Sequence, residues 1–163
     1  MILAHVDDET IFAGNKLYNS NDSWRIIYVA KPPRQRRIEL NKVSRILGFR
    51  YEILGYKDCW AYKMDRNSLY NDIEKVVKME DWNEIVTHHP KGEYGHPQHE
   101  MIGSAMSVIG MDLDTEVKGF VKGDYLPFDS IRRKMAVLDL YKSAREGFSN
   151  LMEFILKEDY EVI

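Results

Sequence analysis

The chain has 163 residues, enough for one sizeable core, and is expected to be a single domain over residues 1–163. Hydrophobic residues make up 44% and charged residues 30%, the balance of a globular protein. With 23 basic and 26 acidic residues the net charge is -3, so no overall field favours nucleic acid or an anionic membrane. Cys59 is the one cysteine, which excludes an internal disulfide and points to a reducing compartment, read here as the cytoplasm. Asp7, Asp8 and Glu9 exclude an ordinary signal peptide, and no stretch approaches the ~18 uncharged apolar residues of a membrane span.

In chain order, Ile2 to Ala4 begins a first strand. That apolar run is short for a first buried strand, so either a minimal protein or a truncated N-terminus is expected. Thr10 to Tyr18 reads as a helix, and Trp24 to Ala30 as a second strand rich in β-formers. Lys31-Pro32-Pro33 breaks that strand. A helix then starts at Pro33, carries Leu40, Val43 and Leu47 at helical spacing, and ends at Gly48. Tyr51 to Leu54 is a third strand, followed by an irregular stretch through Met64. Leu69 to Met79 is helical, Glu84 to Thr87 is a fourth strand, and His99 to Ile109 is a helix with Ile102, Met106 and Ile109 on one stripe. Val117 to Val121 is a fifth strand. Two helices, about Ser130 to Tyr141 and Phe148 to Lys157, close the chain. Short β-branched runs alternating with helices predict an α/β fold, a parallel sheet covered by helices.

All five histidines fall at strand ends. His5 follows the first strand, and His88, His89, His96 and His99 follow the fourth. Open parallel sheets bind ligands beyond the carboxyl ends of their strands, so the two groups can meet there. His5 and Asp8 lie three apart on a strand-to-helix turn and can converge on one ion. His96 and His99 lie three apart at a helix start. Two histidines, one carboxylate and a fourth position for water make an open catalytic zinc site. Taken singly, each feature has a plainer use: an acidic run suits a helix N-terminus, and a histidine at a strand end is ordinary polar surface.

Ala4-His5-Val6-Asp7-Asp8-Glu9, together with Thr87-His88 and Gly95-His96-Pro97-Gln98-His99, resembles the two signature motifs of the PIG-L/LmbE-like zinc N-deacetylases. Arg36-Arg37-Ile38-Glu39 is similar to that family's Arg-x-x-Glu helix. Lys134 through Tyr141-Lys142-Ser143 is similar to its C-terminal Lys…Tyr-x-Ser segment. The resemblance runs over about the first 145 residues, in order. It implies a Rossmann-like three-layer sandwich with a mainly parallel sheet, and one Zn2+ (or another divalent metal such as Fe2+) held by His5, Asp8 and His99. Asp7 would be the general base toward the attacking water. His96 would be the charged partner of the oxyanion or leaving amine, Tyr94 would polarise the carbonyl, and Arg36 would reach the substrate. The implied reaction is hydrolysis of an N-acetyl group on an N-acetylglucosamine-type sugar conjugate. The alternatives are a zinc hydrolase of another amide or ester, and an inactive member kept as a binding protein. The implied partner is a small amino-sugar molecule, with no nucleic acid and no stable membrane insertion.

Val6 stands where the family has proline, which removes no ligand. The residues also suit the chemistry on their own terms: a base is needed beside the metal but not on it, and Asp7 adjoins Asp8. The basic run from Pro32 to Arg37 reads as a solvated helix face or, more sharply, as a clamp for an anionic group. Trp60, Tyr62 and Tyr70 suit core packing or stacking on a sugar ring. His88 and His89 are expected to orient ligands rather than bind metal.

Overall fold

The computed structural model describes residues 1–58 and 64–163. Ile2–Leu3 forms β1, Asp8–Asn19 α1, Arg25–Ala30 β2, Arg34–Leu47 α2 and Arg50–Tyr56 β3. Arg66–Val77 forms α3, Ile85–Thr87 β4, Pro97–Gly110 α4, Val117–Tyr125 β5 and Phe128–Leu138 α5. Short helices Arg145–Phe148 (α6) and Met152–Leu156 (α7) lead into a final strand, Lys157–Val162 (β6). Local chemistry sets several boundaries. Gly48 ends α2 in the left-handed region at φ 73°, its N–H reaching the Ser44 carbonyl. Pro97 occupies the first turn of α4, where its missing N–H costs nothing, and the His96 side chain accepts the Gln98 N–H as the cap.

Among the described residues one six-stranded sheet runs β3-β2-β1-β4-β5-β6, with β1 to β5 parallel and β6 antiparallel to β5. The chain winds outward from β1 to β3, then returns to the other side of β1 at β4. The order therefore reverses between β1 and β4, and a crevice opens beyond their carboxyl ends. Both histidine motifs leave from those two strands.

Side chains of β2 alternate between two cores. Ile26 and Tyr28 join Leu3, Phe12, Leu40 and Val137 on the face covered by α1, α2 and α5. Ile27 and Val29 join Ile73, Ile102, Met106 and Ile109 on the face covered by α3 and α4. The stripe of Ile102, Met106 and Ile109 is wholly buried, and removing such a side chain to alanine costs about 2–5 kcal/mol. Helices on both faces of one sheet are the three layers expected. A Cβ on Gly103 would come within 2.5 Å of the His89 backbone, so the missing side chain is what lets α4 lie close to the end of β4.

The C-terminus differs from the sequence expectation. The second helix read over Phe148 to Lys157 is broken into short turns, and Lys157-Glu158-Asp159-Tyr160-Glu161-Val162 is a strand. Its charged composition has little strand propensity, but it pairs antiparallel with β5, Phe120 opposite Tyr160, which satisfies its backbone groups. Tyr70 packs against the core of α3 and α4 rather than in the histidine cleft. Cys59, Trp60 and Tyr62 lie outside the described residues.

Candidate metal centre

The turn from β1 into α1 separates two adjacent carboxylates. Asp7 holds φ 111°, a left-handed conformation that costs a non-glycine residue about 1–3 kcal/mol. Glu9 secures it. This fully buried carboxylate accepts hydrogen bonds from the Asp7 N–H (3.0 Å), the Thr10 hydroxyl (2.7 Å), the Tyr28 hydroxyl (2.9 Å) and the Tyr141 hydroxyl (2.8 Å). The twist sends Asp7 toward Arg36, whose Nη1 donates to Asp7 Oδ2 at 2.8 Å, while Asp8 turns to the histidines.

Three atoms then face one another. Asp8 Oδ2 lies 3.6 Å from His5 Nδ1 and 3.6 Å from His99 Nε2, and those two nitrogens are 3.3 Å apart. Zinc bonds of about 2.0–2.1 Å to nitrogen and oxygen give a tetrahedron with edges of roughly 3.4 Å, so the triad has the spacing of one tetrahedral face. Overlapping groups, His5 with His96 and His99 and Asp8 with His88 and His99, also come within reach of a single ion. His88 is a weaker candidate because its Nε2 accepts the Ala4 N–H at 3.0 Å. Burial alone would push the Asp8 carboxyl up, but His99 and His5 outweigh it and hold Asp8 well below the usual carboxylate range. Burial pushes Asp7 the other way, well above that range; Arg36 opposes the shift, and Asp8 and Glu9 add to it.

His96 stands beside the triad, its ring 4.6 Å from that of His5 and 5.0 Å from that of His99. Burial, with His5 and His99 nearby, pulls it down to about 4, so it is neutral at neutral pH, not the charged partner expected from the sequence. Its Nδ1 accepts the Gln98 N–H, which leaves the hydrogen of the neutral ring on Nε2. The tyrosine ring of Tyr94 packs on Phe12 and edge-on to His99. A cleft of about 450 Å³ is lined by His5, Asp7, Asp8, Arg36, Tyr94 and His96. His99 lies beneath it, fully buried.

Arg36 lines this cleft with its donors engaged: besides Asp7, it reaches the Val6 carbonyl (3.1 Å) and Ser143 Oγ (3.0 Å). Ser143 in turn donates to the buried Glu39 at 2.5 Å. The two weaker motifs of the sequence, Arg36 with Glu39 and Tyr141 with Ser143, thus meet in one network behind Asp7. His88 faces the site, but the His89 ring turns away to Glu161 at 2.6 Å, contrary to its expected part in orienting ligands. Sequence reasoning assigned no role to Glu9, Glu93, Gln98, Asp58 or Ser143. Gln98 lies inside the His-x-x-His spacing and Glu93 inside the same loop, but no spacing rule says which way such side chains point.

The family model described as GlcNAc-PI de-N-acetylase (PIG-L) matches residues 1–109. The chain belongs to the PIG-L family. A protein of Acanthamoeba polyphaga mimivirus is 29% identical over an alignment of 124 residues, with 65% of this chain and 55% of that protein covered. The chain therefore spans little more than half the length of this curated relative. Solved structures share the PIG-L fold at low identity. The N,N'-diacetylchitobiose deacetylase of Pyrococcus horikoshii superposes with a TM-score of 0.76 and 14% identity, over 99% of this chain and 82% of that one. A deacetylase of the teicoplanin biosynthesis pathway gives 0.72 and 15%, over 94% and 89%. A 4-carboxy-2-hydroxymuconate hydratase from Pseudomonas putida gives 0.64 and 16%, over 94% and 81%.

Proposed function

We propose that this chain is a zinc-dependent N-deacetylase, one domain acting in the cytoplasm on an N-acetylglucosamine-type sugar conjugate. The observation that carries the reading is the triad of His5 Nδ1, Asp8 Oδ2 and His99 Nε2, spaced at 3.3–3.6 Å, with Asp7 beside it and not part of it. The donor set suits the metal: two imidazoles and a carboxylate leave a position open, and iron(II) is compatible with the same ligands. Zinc held there would polarise the amide carbonyl and lower the pKa of a coordinated water to about 7.

The chain's own groups divide the remaining work. Asp7, whose carboxyl burial raises above the usual carboxylate range, accepts the proton of the attacking water as the carboxylate paired with Arg36. Arg36 holds that carboxylate in place. The His96 Nε2–H donates to the oxyanion as the carbonyl carbon becomes tetrahedral, and Tyr94, which also lines the cleft, supplies its hydroxyl as a second donor. As the tetrahedral carbon collapses, Asp7 returns that proton to the leaving nitrogen, the C–N bond breaks, and acetate and the free amine are released. A cleft of about 450 Å³ suits a sugar ring with its acetamido group. The deacetylase relatives of known fold, two of them acting on a chitobiose derivative and in teicoplanin biosynthesis, support the same substrate class. No described helix is long and apolar enough to cross a membrane.

The deciding experiment is acetate release by the zinc-loaded chain over a panel of N-acetylglucosamine conjugates. Release from at least one, abolished by chelation, is expected. Stoichiometric metal with no acetate from any of them would reject the reading. The hydratase that shares the fold supplies a second reading, water addition to a carbon–carbon double bond, because the fold alone does not decide the reaction. Loss of ultraviolet absorbance from an unsaturated carboxylate, in place of acetate release, would favour it.

A further inference from the structure

Glu93 is a nearly inaccessible carboxylate under the histidines, its side chain 1% exposed. Its Oε2 lies 2.6 Å from His99 Nδ1 and 3.1 Å from His88 Nδ1, and its Oε1 accepts the His89 N–H at 3.0 Å. The Gly92 N–H bonds back to the His89 carbonyl at 2.8 Å, and this turn carries Glu93 beneath the end of β4. An ionised carboxylate has acceptors only, so the imidazole nitrogens facing it carry hydrogens. With Nδ1 protonated, neutral His99 keeps its lone pair on Nε2, the atom that faces His5 and Asp8. His88 is fixed by the same logic: its Nδ1–H points to Glu93, and the Nε2 lone pair takes the Ala4 N–H.

Gln98 acts on the other histidine. Its amide orientation is set because Nε2 donates to the Lys57 carbonyl at 2.8 Å, so the atom 2.9 Å from His5 Nε2 is the oxygen. Asp58 Oδ1 lies 3.2 Å from the same nitrogen. His5 therefore carries hydrogen on Nε2, and in the neutral ring that a metal requires, the lone pair is on Nδ1, toward His99.

We propose that Glu93 and Gln98 are positioning residues that select opposite tautomers of His99 and His5, so that both nitrogens facing the metal position carry lone pairs. The proposal rests on reading His5, Asp8 and His99 as the ligands, and it assigns a task to two residues outside that set. Among the described residues Glu93 has no stand-in, whereas Asp58 backs up Gln98, so loss of Glu93 has the larger effect. Glu93→Gln keeps the shape but leaves one acceptor oxygen for three donors.

Zinc affinity of the full chain, measured by competition with a chromophoric chelator, tests this together with nitrogen-15 NMR of the zinc-loaded histidines. In the unaltered chain His99 is expected to be protonated on Nδ1 and His5 on Nε2. Glu93→Gln should weaken zinc binding about 10- to 100-fold, the usual effect of losing a partner of a ligating histidine, and Gln98→Met should weaken it less. If Glu93→Gln does not fold, the double variant Asp58→Ala with Gln98→Met decides instead, by the same fall in affinity and a changed His5 signal. Unaltered affinity in these variants, or the opposite nitrogens protonated, overturns the proposal. Asp8→Ala separates the two levels. If it keeps zinc, the ligand reading itself fails; if it loses zinc while Glu93→Gln binds normally, only the positioning role fails.

Discussion

Asp7 and Asp8 carry the same side chain and share a peptide bond, yet the turn gives them opposite surroundings. Asp8 looks at two imidazoles and is held well below the usual carboxylate range; Asp7 is buried against one guanidinium and is raised above it. The proposed mechanism therefore separates them by measurement. Asp7→Asn should keep zinc and fold and lose about 100- to 10,000-fold in turnover, the usual effect of removing a positioned base. Asp8→Ala should lose zinc. His96→Ala should keep zinc and lose about 100- to 1,000-fold in turnover, since the proposed mechanism gives its Nε2–H to the oxyanion. Metal content and turnover of the three variants, measured side by side, check the assignment, and a Asp7→Asn variant with full activity would remove Asp7 as the base.

Arg36 belongs to the same scale. The sequence suggested a substrate contact, but its nearest partner is Asp7 at 2.8 Å. A charge-assisted hydrogen bond contributes about 1.5–3 kcal/mol, which is on the order of 10- to 100-fold in rate if it serves the base. Arg36→Ala should therefore lower kcat by that factor with KM little changed. A raised KM at constant kcat would instead return Arg36 to direct substrate binding.

At the scale of elements, the bend in α1 and the last strand explain each other. Ala13 leaves helical geometry at φ -131° and ψ 16°, which interrupts the helix just before Asn15 and Lys16. Glu158 on β6 accepts both of their N–H groups, at 2.9 and 2.8 Å, and thus caps the second half of the helix. Lys134 from α5 enters the same buried spot, its Nζ 3.1 Å from Glu158 and 3.1 Å from the Phe154 carbonyl. The lysine of the C-terminal motif is thus a structural cation that joins α5, α7 and β6 to α1. Removing one partner of a buried pair leaves the other charge uncompensated and costs about 3–5 kcal/mol. Lys134→Ala should destabilise the chain by that amount in urea unfolding while leaving zinc affinity of the folded chain unchanged. A destabilisation under about 1 kcal/mol, the level of an exposed pair, would show that the α1 backbone and the Tyr160 hydroxyl hold Glu158 without Lys134.

For the whole molecule, the site is a junction between two distant parts of the chain. His5 and His99 are 94 residues apart in sequence and come from the two strands where the sheet reverses its order. A metal that binds only when both are in place stabilises the folded state by mass action. Zinc at 100 times its Kd should contribute about 2.7 kcal/mol, and chelation should lower Tm accordingly in a thermal scan. A Tm indifferent to zinc would mean that the triad does not form a metal site.

The sequence by itself determined the alternation of strands and helices, the α4 stripe of Ile102, Met106 and Ile109, the bounds of α2 at Pro33 and Gly48, and the grouping of histidines at two strand ends. These are local properties: periodicity, propensity and capping depend on neighbours within a turn or two. It did not show β6, because the pairing of Lys157–Val162 with β5 is long-range and overrides the weak strand propensity of a charged segment. Nor could it show Glu93 beneath His88 and His99, Glu158 capping a helix more than a hundred residues upstream, or Arg36 turned onto Asp7. Those partnerships arise only when the sheet has closed, because an ionisable side chain taken from water must find whatever donor or acceptor the surrounding fold presents, wherever in the chain that partner lies.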